Sequence, residues 1–257
     1  MHLFHRYNRH VNFIVLFQRR KTRPAMSDRF FVETPITGTR AELADAEARH
    51  LTGVLRAGVG DAVTLFDGSG AEFASRILRV GKSVVELEVL ERHEISRELP
   101  LDLTLAVALP KGDRQKWLVE KLVELGVTRL VPLITERGVA QPVDSALTRL
   151  KRGVIEASKQ CGRNKLMEIA EPRDASELFS AQPPGTLRLL AEPGGSSLSQ
   201  LEMGTQKIVG AIGPEGGFTP AEVASALQAG WLGVSLGRSI LRIETAAIAL
   251  AAWGALR

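Results

Sequence analysis

The chain of 257 residues is long enough for one large or two modest domains. Its 44% of hydrophobic and 24% of charged residues exclude a disordered or fibrous protein. A single cysteine, Cys161, excludes an internal disulfide framework and a metal cage built of cysteines, as is usual in a reducing cytoplasm. The composition therefore predicts a soluble, cytoplasmic, globular protein that needs no metal.

The formal charge of +4 is concentrated at the N-terminus, where residues 1–25 hold six Lys or Arg and no acid. The remaining chain has 27 basic against 29 acidic residues, so any nucleic-acid site must be a local basic face. The apolar run Val11–Phe17 is far shorter than the ~20 residues of a membrane-spanning helix. We interpret residues 1–25 as a disordered extension or a misassigned start before Met26, with a targeting or RNA-binding arm as the alternative.

Residues 26–95 have the pattern of a small β-barrel with one helix. The helix is predicted over 41–56, and the charged stretch 91–98 is predicted to be a linker. Strands are predicted at 29–33, 62–66, 72–80 and 83–90, with tight turns at 67–70 and 81–82.

Residues 99–257 alternate between strand and helix patterns, which predicts an α/β fold with a largely parallel sheet. Apolar residues occupy every second position from Leu101 to Leu109, and Asp113 is predicted to cap a helix that ends at Leu125. Further strands are predicted at 129–134, 187–191, 207–212 and 233–236.

Several common catalytic motifs are absent from the sequence. It has no Gly-x-Gly-x-x-Gly, no Gly-x-x-x-x-Gly-Lys, no His-Glu-x-x-His and no Gly-x-Ser-x-Gly. Only His50 and His93 follow the N-terminal extension, which disfavours a histidine-rich metal site. Dinucleotide enzymes, common nucleotide hydrolases and zinc proteases therefore lose support.

The segment 208–222 predicts an apolar strand that runs into a loop with three glycines. Thr219 and Glu222 then form a capping box around Pro220 at the first position of a helix. Glycines between a strand and a helix let the main chain approach a ligand, and ligands bind at strand ends in α/β sheets. A tight connector that needs unusual backbone angles explains the same glycines.

The segment 236–246 leads into a very apolar, alanine-rich helix that is predicted to end near Leu256. Arg242 and Glu244 stand at the entrance of this helix. They indicate either a functional site or an internal ion pair that caps the helix.

Five motifs in order resemble the RsmE family, which are 16S ribosomal RNA uridine methyltransferases of the SPOUT superfamily. The motifs are Glu124–Val127, Glu136-Arg137, Gln160–Arg163, Gly213–Gly217 and Ile240–Ala246. The resemblance extends from about Arg29 to the C-terminus. It implies an N-terminal PUA-like barrel, a C-terminal α/β domain with a deep trefoil knot, a homodimer, and S-adenosylmethionine as methyl donor.

The resemblance also implies which residues bind the donor, in three loops. These residues are Leu190, Ala191, Glu192, Ile212, Gly213, Pro214, Glu215, Gly216, Gly217, Leu236, Gly237, Ile240, Leu241, Thr245 and Ala246. The implied reaction methylates N3 of a uridine. Cationic side chains would favour the uracil anion that develops as N3 loses its proton. Arg242, Arg163 and Arg137 are the candidates for that role, and Glu244 is the candidate base or orienting residue.

An RNA-binding face is predicted from residues 129–165, which hold eight Lys or Arg against three acids. Its candidates are Arg149, Lys151, Arg152, Lys159 and Lys165, joined from the barrel by Arg29, Arg49, His50, Arg56 and Arg76. A solvated helix surface and a structural His50 are the alternatives. The expected substrate is 16S rRNA or the assembled 30S subunit; methylation of another RNA atom, such as a ribose 2′-hydroxyl, and a non-catalytic assembly factor are the rival functions.

Overall fold

The computed structural model of the chain describes residues 29–140, 142–181, 183–201 and 204–256. The predicted extension 1–25 and the alternative start at Met26 lie outside the described residues. The described part contains a five-stranded and a seven-stranded sheet, each with its own core.

The five-stranded sheet has the order β1-β3-β4-β5-β2. Only β1 and β3 pair in parallel; the other neighbours are antiparallel. Alternate residues point inward and bury Phe30, Leu65 and Leu87. The strands are β1 Arg29–Phe31, β2 Arg40–Ala44, β3 Ala62–Phe66, β4 Ala71–Val80 and β5 Val84–Glu94.

The predicted helix over 41–56 is wrong in its first turn. Residues Arg40–Ala44 form β2 instead, because Ala41 and Leu43 are buried and alternate with exposed neighbours. The helical part begins with α1, Asp45–Arg49, and continues as a π-helical segment, His50–Val54.

The predicted linker is also shorter than expected. Residues 91–94 extend β5 and pair with residues 71–74 of β4. Charged side chains do not prevent this, because the pairing uses main-chain groups and the side chains of Glu91, Arg92 and Glu94 are exposed.

The seven-stranded sheet is parallel throughout, which confirms the predicted α/β class. Its strands are ordered β12-β10-β11-β6-β7-β8, with β9 paired to β7. The strands are β6 Asp102–Val107, β7 Arg129–Ile134, β8 Glu168–Ile169, β9 Arg173–Asp174, β10 Leu187–Ser197, β11 Lys207–Ile212 and β12 Leu232–Ser235. The trefoil knot stays a prediction.

Helices cover both faces of this sheet. This sheet has two cores. The first core holds residues from α2, α3 and α6, and the second core holds residues from α4 and α5. Helix α6 packs so closely on β11 that a Cβ at Gly210 would lie 2.1 Å from a methyl carbon of Leu250. The helices are α2 Arg114–Glu124, α3 Asp144–Cys161, α4 Ala175–Ser180, α5 Pro220–Gln228 and α6 Ile243–Ala255.

Two of the predicted local signals can be compared directly with the structure. The capping box at α5 is confirmed, since Glu222 N donates to Thr219 Oγ1 and Thr219 N donates to Glu222 Oε2. The predicted cap of α2 is wrong, because Asp113 has helical backbone angles and its side chain makes no capping bond.

The two sheets meet at a cluster of charged and polar side chains around Glu72, which we call the hinge cluster: Arg29, Glu72, Arg97 and Asn164. Arg29 Nη1 donates to Glu72 Oε2 at 2.8 Å, and Arg29 Nη2 donates to Asn164 Oδ1 at 2.6 Å. Arg97 Nη1 lies 3.2 Å from Glu72 Oε2 and also donates to the Gly162 carbonyl. The end of α3 is thereby bound to the barrel.

We expect Glu72→Gln to lower the free energy of unfolding at pH 7 by about 2 kcal/mol, because a carboxylate that accepts from two arginines becomes a neutral amide. Burial raises the pKa of Glu72, but the hydrogen bonds and charges of Arg29 and Arg97 together outweigh it, so this pKa lies below its ordinary value of 4.5. The contribution is therefore complete above pH 4.5 and is lost as the pH falls through the lowered pKa.

Urea unfolding of wild type and variant, measured from pH 7 down to pH 3, checks this expectation. The matched control is Glu86→Gln, which removes the carboxylate of the exposed pair with Arg79. We expect no measurable change for this control. A difference between wild type and Glu72→Gln that persists unchanged at pH 3 would contradict the role of the ionised carboxylate.

Candidate functional site

The three predicted donor-binding loops follow three neighbouring strands. Strand β10 lies between β11 and β12, and Leu190 pairs with both Ala211 and Gly233. Because the strands are parallel, their carboxyl ends meet at one edge of the sheet, which is where ligands bind in such folds. The structure therefore brings the three loops together.

Strand β10 is longer than predicted and changes the first loop. It extends to Ser197, with an irregularity in its pairing with β12 between Ala191 and Ser196. Leu190 is fully buried, whereas Ala191 and Glu192 are half-buried. The first loop is thus an irregular strand in which Leu190 is enclosed by the sheet and only Ala191 and Glu192 are accessible to a ligand.

The glycine loop after β11 contains two glycines that the fold restricts and one that it does not. A Cβ at Gly213 would lie 3.1 Å from the ring of Phe218. Gly217 has φ +67°, which favours glycine, and its N–H donates to the Pro214 carbonyl at 2.8 Å. A Cβ at Gly216 would meet only Arg137, with Cδ at an ordinary 3.5 Å. Packing within the fold therefore does not require a glycine at position 216.

Arg137, a candidate for stabilising the uracil anion, lies beside this loop. Its Nη1 donates to the Gly216 carbonyl at 2.8 Å, and the side chain is exposed. The adjacent Glu136 N–H donates to Glu222 Oε1 at 3.0 Å, which joins the end of β7 to the start of α5. The glycine loop is thus held by residues that follow β7, two strands away in the sheet.

Arg114 is a site residue that the sequence reading missed. Its Nη2 lies 3.1 Å from Glu215 Oε1, and its Nη1 lies 3.5 Å from Glu244 Oε2. Glu244 is 5% exposed, and its Oε2 accepts no hydrogen bond among the described residues. Arg114 therefore joins the glycine loop to the start of α6, and the ion pair suspected at Glu244 has its partner on α2 instead of at Arg242.

The loop before α6 is largely open to solvent. Arg242 is exposed, and Leu236 and Leu241 are half-buried against the first core. Ile240 is 89% exposed, so its side chain is not part of the packed wall. Among the other predicted donor-binding residues, Gly213 is half-buried, Gly237 and Thr245 are exposed, and Ile212, Pro214 and Ala246 are buried.

The predicted catalytic role of Arg163 conflicts with its burial. It is 3% exposed, and its guanidinium binds both carboxylate oxygens of Glu98 and the carbonyls of Val123 and Val127. These contacts engage four of the five N–H groups of the guanidinium, so Arg163 fixes the linker to the end of α2.

Two predicted RNA-binding residues are likewise engaged between the sheets. Arg29 is 6% exposed within the hinge cluster, and Lys159 Nζ donates to Glu47 at 2.8 Å. Eight remaining candidates are exposed: Arg49, His50, Arg56, Arg76, Arg149, Lys151, Arg152 and Lys165.

Within the described ranges, no helix is both long and apolar enough to cross a bilayer. The same residues contain no group of three or more His, Cys, Asp or Glu side chains placed to hold a metal ion.

Known proteins are similar to this chain in sequence. The family model described as an RNA methyltransferase domain matches residues 97–254, and one described as an RNA methyltransferase PUA domain matches residues 43–90. The ribosomal RNA small subunit methyltransferase E of Synechocystis is 36% identical over 233 residues, covering 88% of this chain and 74% of that protein. The chain belongs to the ribosomal RNA small subunit methyltransferase E family.

Solved structures support the membership. The family protein from Neisseria gonorrhoeae, crystallised with S-adenosyl methionine, superimposes with a TM-score of 0.82 at 34% identity, covering 88% of this chain and 95% of that chain. A protein from Legionella pneumophila, solved with bound SAM, gives a TM-score of 0.81 at 31% identity, covering 87% and 95%.

We expect Gly216→Val to weaken binding of S-adenosylmethionine more than tenfold while the fold is retained, because the branched side chain occupies ligand space and presses on Arg137. Calorimetric titration with the donor measures the affinity, and circular dichroism checks the fold. Gly58→Val is the matched control, since a Cβ there meets nothing within 4 Å. Unchanged donor affinity would remove Gly216 from the site.

Proposed function

We propose that this protein transfers the methyl group of S-adenosylmethionine to N3 of a specific uridine in 16S rRNA of the small ribosomal subunit. The observation that carries the proposal is the convergence of three loops at one edge of the sheet, around a glycine that packing does not explain. Family membership and two similar structures with the bound donor support it.

The residues at this edge suit the donor. Leu236 and Leu241 offer an apolar wall for an adenine, and exposed main-chain groups near Gly216 and Gly237 allow close approach. Arg114 holds Glu244 and Glu215 in fixed positions around that space. When bound there, S-adenosylmethionine supplies an electrophilic methyl group, and the transfer needs no metal.

The remaining task of the protein is to stabilise the uracil as it loses its N3 proton. Arg137 and Arg242 are exposed cations beside the donor loops, and cations favour a developing anion. Glu244 is buried against Arg114, so we assign it to positioning, and water accepts the proton. Alignment of the reacting atoms supplies much of the acceleration.

RNA is held, in this proposal, by both parts of the chain. Residues 26–95 form the RNA-binding domain and residues 99–257 the knotted methyltransferase domain. The eight exposed basic candidates contact phosphates. We also propose a homodimer, as the family resemblance implies, in which the exposed Ile240 is covered by the second copy. The enzyme acts in the cytoplasm, where its substrate is assembled.

The decisive experiment compares 16S rRNA from a strain lacking the gene with wild-type rRNA by primer extension. Methylation at N3 blocks the base-pairing edge and stops the polymerase, whereas a ribose 2′-methyl group lets it pass when nucleotides are ample. We expect one stop to disappear in the deletion strain and to return with a plasmid copy of the gene. The Arg114→Gln copy is expected not to restore it, because Glu244 and Glu215 lose their shared partner.

An unchanged pattern of stops would contradict N3 methylation. Loss of a ribose methyl group, detected by alkaline hydrolysis, would instead assign the reaction to a 2′-hydroxyl. A subunit-assembly defect rescued equally by the wild-type and Arg114→Gln genes would assign a non-catalytic role. Methyl incorporation into 30S subunits compared with free 16S rRNA then identifies the substrate form.

We expect Arg152→Ala to weaken RNA binding severalfold and to reduce the salt dependence of binding by about one counterion. Arg152 lies exposed on α3, away from the donor loops, so the affinity for S-adenosylmethionine is expected to stay unchanged. Filter binding at several salt concentrations measures the first effect and calorimetry the second. Lys82→Ala, in an exposed turn of the barrel, is the control.

A further inference from the structure

A cavity lies at the amino-terminal edge of the parallel sheet, opposite the edge that carries the donor loops. It has a volume of about 270 Å³ and is lined by the amino-terminal residues of β6, β7 and β11 together with residues around α4. Strand β6 has six residues, so the two edges are separated by about 17 Å at the rise of a parallel strand. This cavity is therefore distinct from the donor site.

The short helix α4 explains why the cavity exists. Thr104 and Asp102 share a face of β6 with Ala106, which belongs to the second core. Helix α4 has six residues and buries Leu178 and Phe179 on that core. It does not cover the first residues of β6, β7 and β11, so the amino-terminal ends of these strands remain open.

Cations outnumber carboxylates on the walls of this cavity. Its lining includes Arg129, Arg173 and Lys207, and the single carboxylate Asp102. Lys207 and Asp102 are directly paired in the sheet, and Thr104 pairs with Arg129. The cations therefore converge from β7 and β11, the two strands that flank β6, and from β9.

Two of the three cations are not neutralised within the fold. Arg173 and Lys207 are exposed and form no ion pair among the described residues, whereas Arg129 has one. Arg129 Nη2 lies 3.2 Å from Glu168, but its Nε is buried and donates no hydrogen bond. A buried donor without a partner costs free energy unless a ligand accepts from it.

The rest of the lining is apolar, with Val131, Leu178, Pro183 and Val209. We propose that this cavity binds a phosphorylated nucleoside. Its phosphate lies against Arg129, Arg173 and Lys207, and its base packs on the apolar wall. The carboxylate of Asp102, which already accepts from Thr128 Oγ1 at 2.5 Å, offers its remaining lone pairs to a ribose hydroxyl or a base N–H.

The cavity is close to the lower end of the range for ligand pockets, ~300 Å³, so it holds at most one nucleotide unit. This unit is either a nucleotide of the bound RNA or a free mononucleotide. The chemistry of the two is shared, and the ligand takes no part in the methyl-transfer step itself.

The test is calorimetric titration of the full chain with uridine 5′-monophosphate and, separately, with uridine. We expect the nucleotide to bind at least tenfold more tightly than the nucleoside, because only the nucleotide carries the phosphate. The result is expected to be the same with and without saturating S-adenosylhomocysteine, since the two sites are at opposite edges. No methyl transfer is involved, so this test is independent of the proposed reaction.

The double variant Arg173→Gln/Lys207→Gln is expected to weaken nucleotide binding at least tenfold, whereas Lys82→Gln is the matched control and leaves it unchanged. S-adenosylhomocysteine affinity reports whether the double variant is folded. A second measurement needs no variant: the nucleotide is expected to slow modification of Arg173 by phenylglyoxal, mapped by mass spectrometry, but not that of the exposed Arg238.

Equal binding of nucleotide and nucleoside, binding of neither, or modification of Arg173 unaffected by the nucleotide would overturn the proposal. The KM of the folded double variant for 30S subunits distinguishes the two sources of the ligand. A raised KM for 30S subunits assigns the cavity to an RNA nucleotide, and an unchanged KM assigns it to a free mononucleotide.

Discussion

The contact between the two halves of the chain depends on the carboxylate of Glu72. It is contributed by the antiparallel sheet, yet both guanidiniums that hold it make a second bond to the end of α3, at Asn164 and at the Gly162 carbonyl. A buried carboxylate with one partner removed leaves an uncompensated charge. Separation of the sheets therefore costs more than the loss of apolar contact, and the exposed basic residues of the barrel keep a fixed position relative to those on α3.

A parallel sheet places chemically different surfaces at its two edges, and we have proposed a ligand for each. At the carboxyl edge, main-chain groups and a glycine loop leave room for a ligand, with Arg114 and Arg137 holding the loop from two sides. At the amino edge, the strands begin with charged residues that a short helix leaves uncovered. The strand order, which puts β10 between β11 and β12, makes the first edge a single site.

Signals confined to one segment were predictable from the sequence. Strands β3, β7 and β11 and the capping box at Thr219 agree with their predicted bounds, because alternation and capping depend on neighbouring residues alone. Apart from the cap at Asp113, which is a local signal, the errors concern partners distant in sequence. Arg163 stands in a motif of the family, but its ligands come from Glu98 and α2, and Arg114 meets residues more than 100 positions away. Ala41 and Leu43 suit either a helix or a strand, and pairing with β5 decides between them.

The contact between Gly210 and Leu250 bears on how the donor site behaves before any ligand arrives. Leu105 also lies 3.0 Å from the position of the absent Cβ, so the leucines already fill the space that a methyl group would need. These contacts fix the distance and the rotation of helix α6 relative to β11, the strand that leads into the glycine loop. The first turn of α6, with Glu244 and Arg242, is preorganised, and little conformational entropy remains to be lost when a small molecule binds.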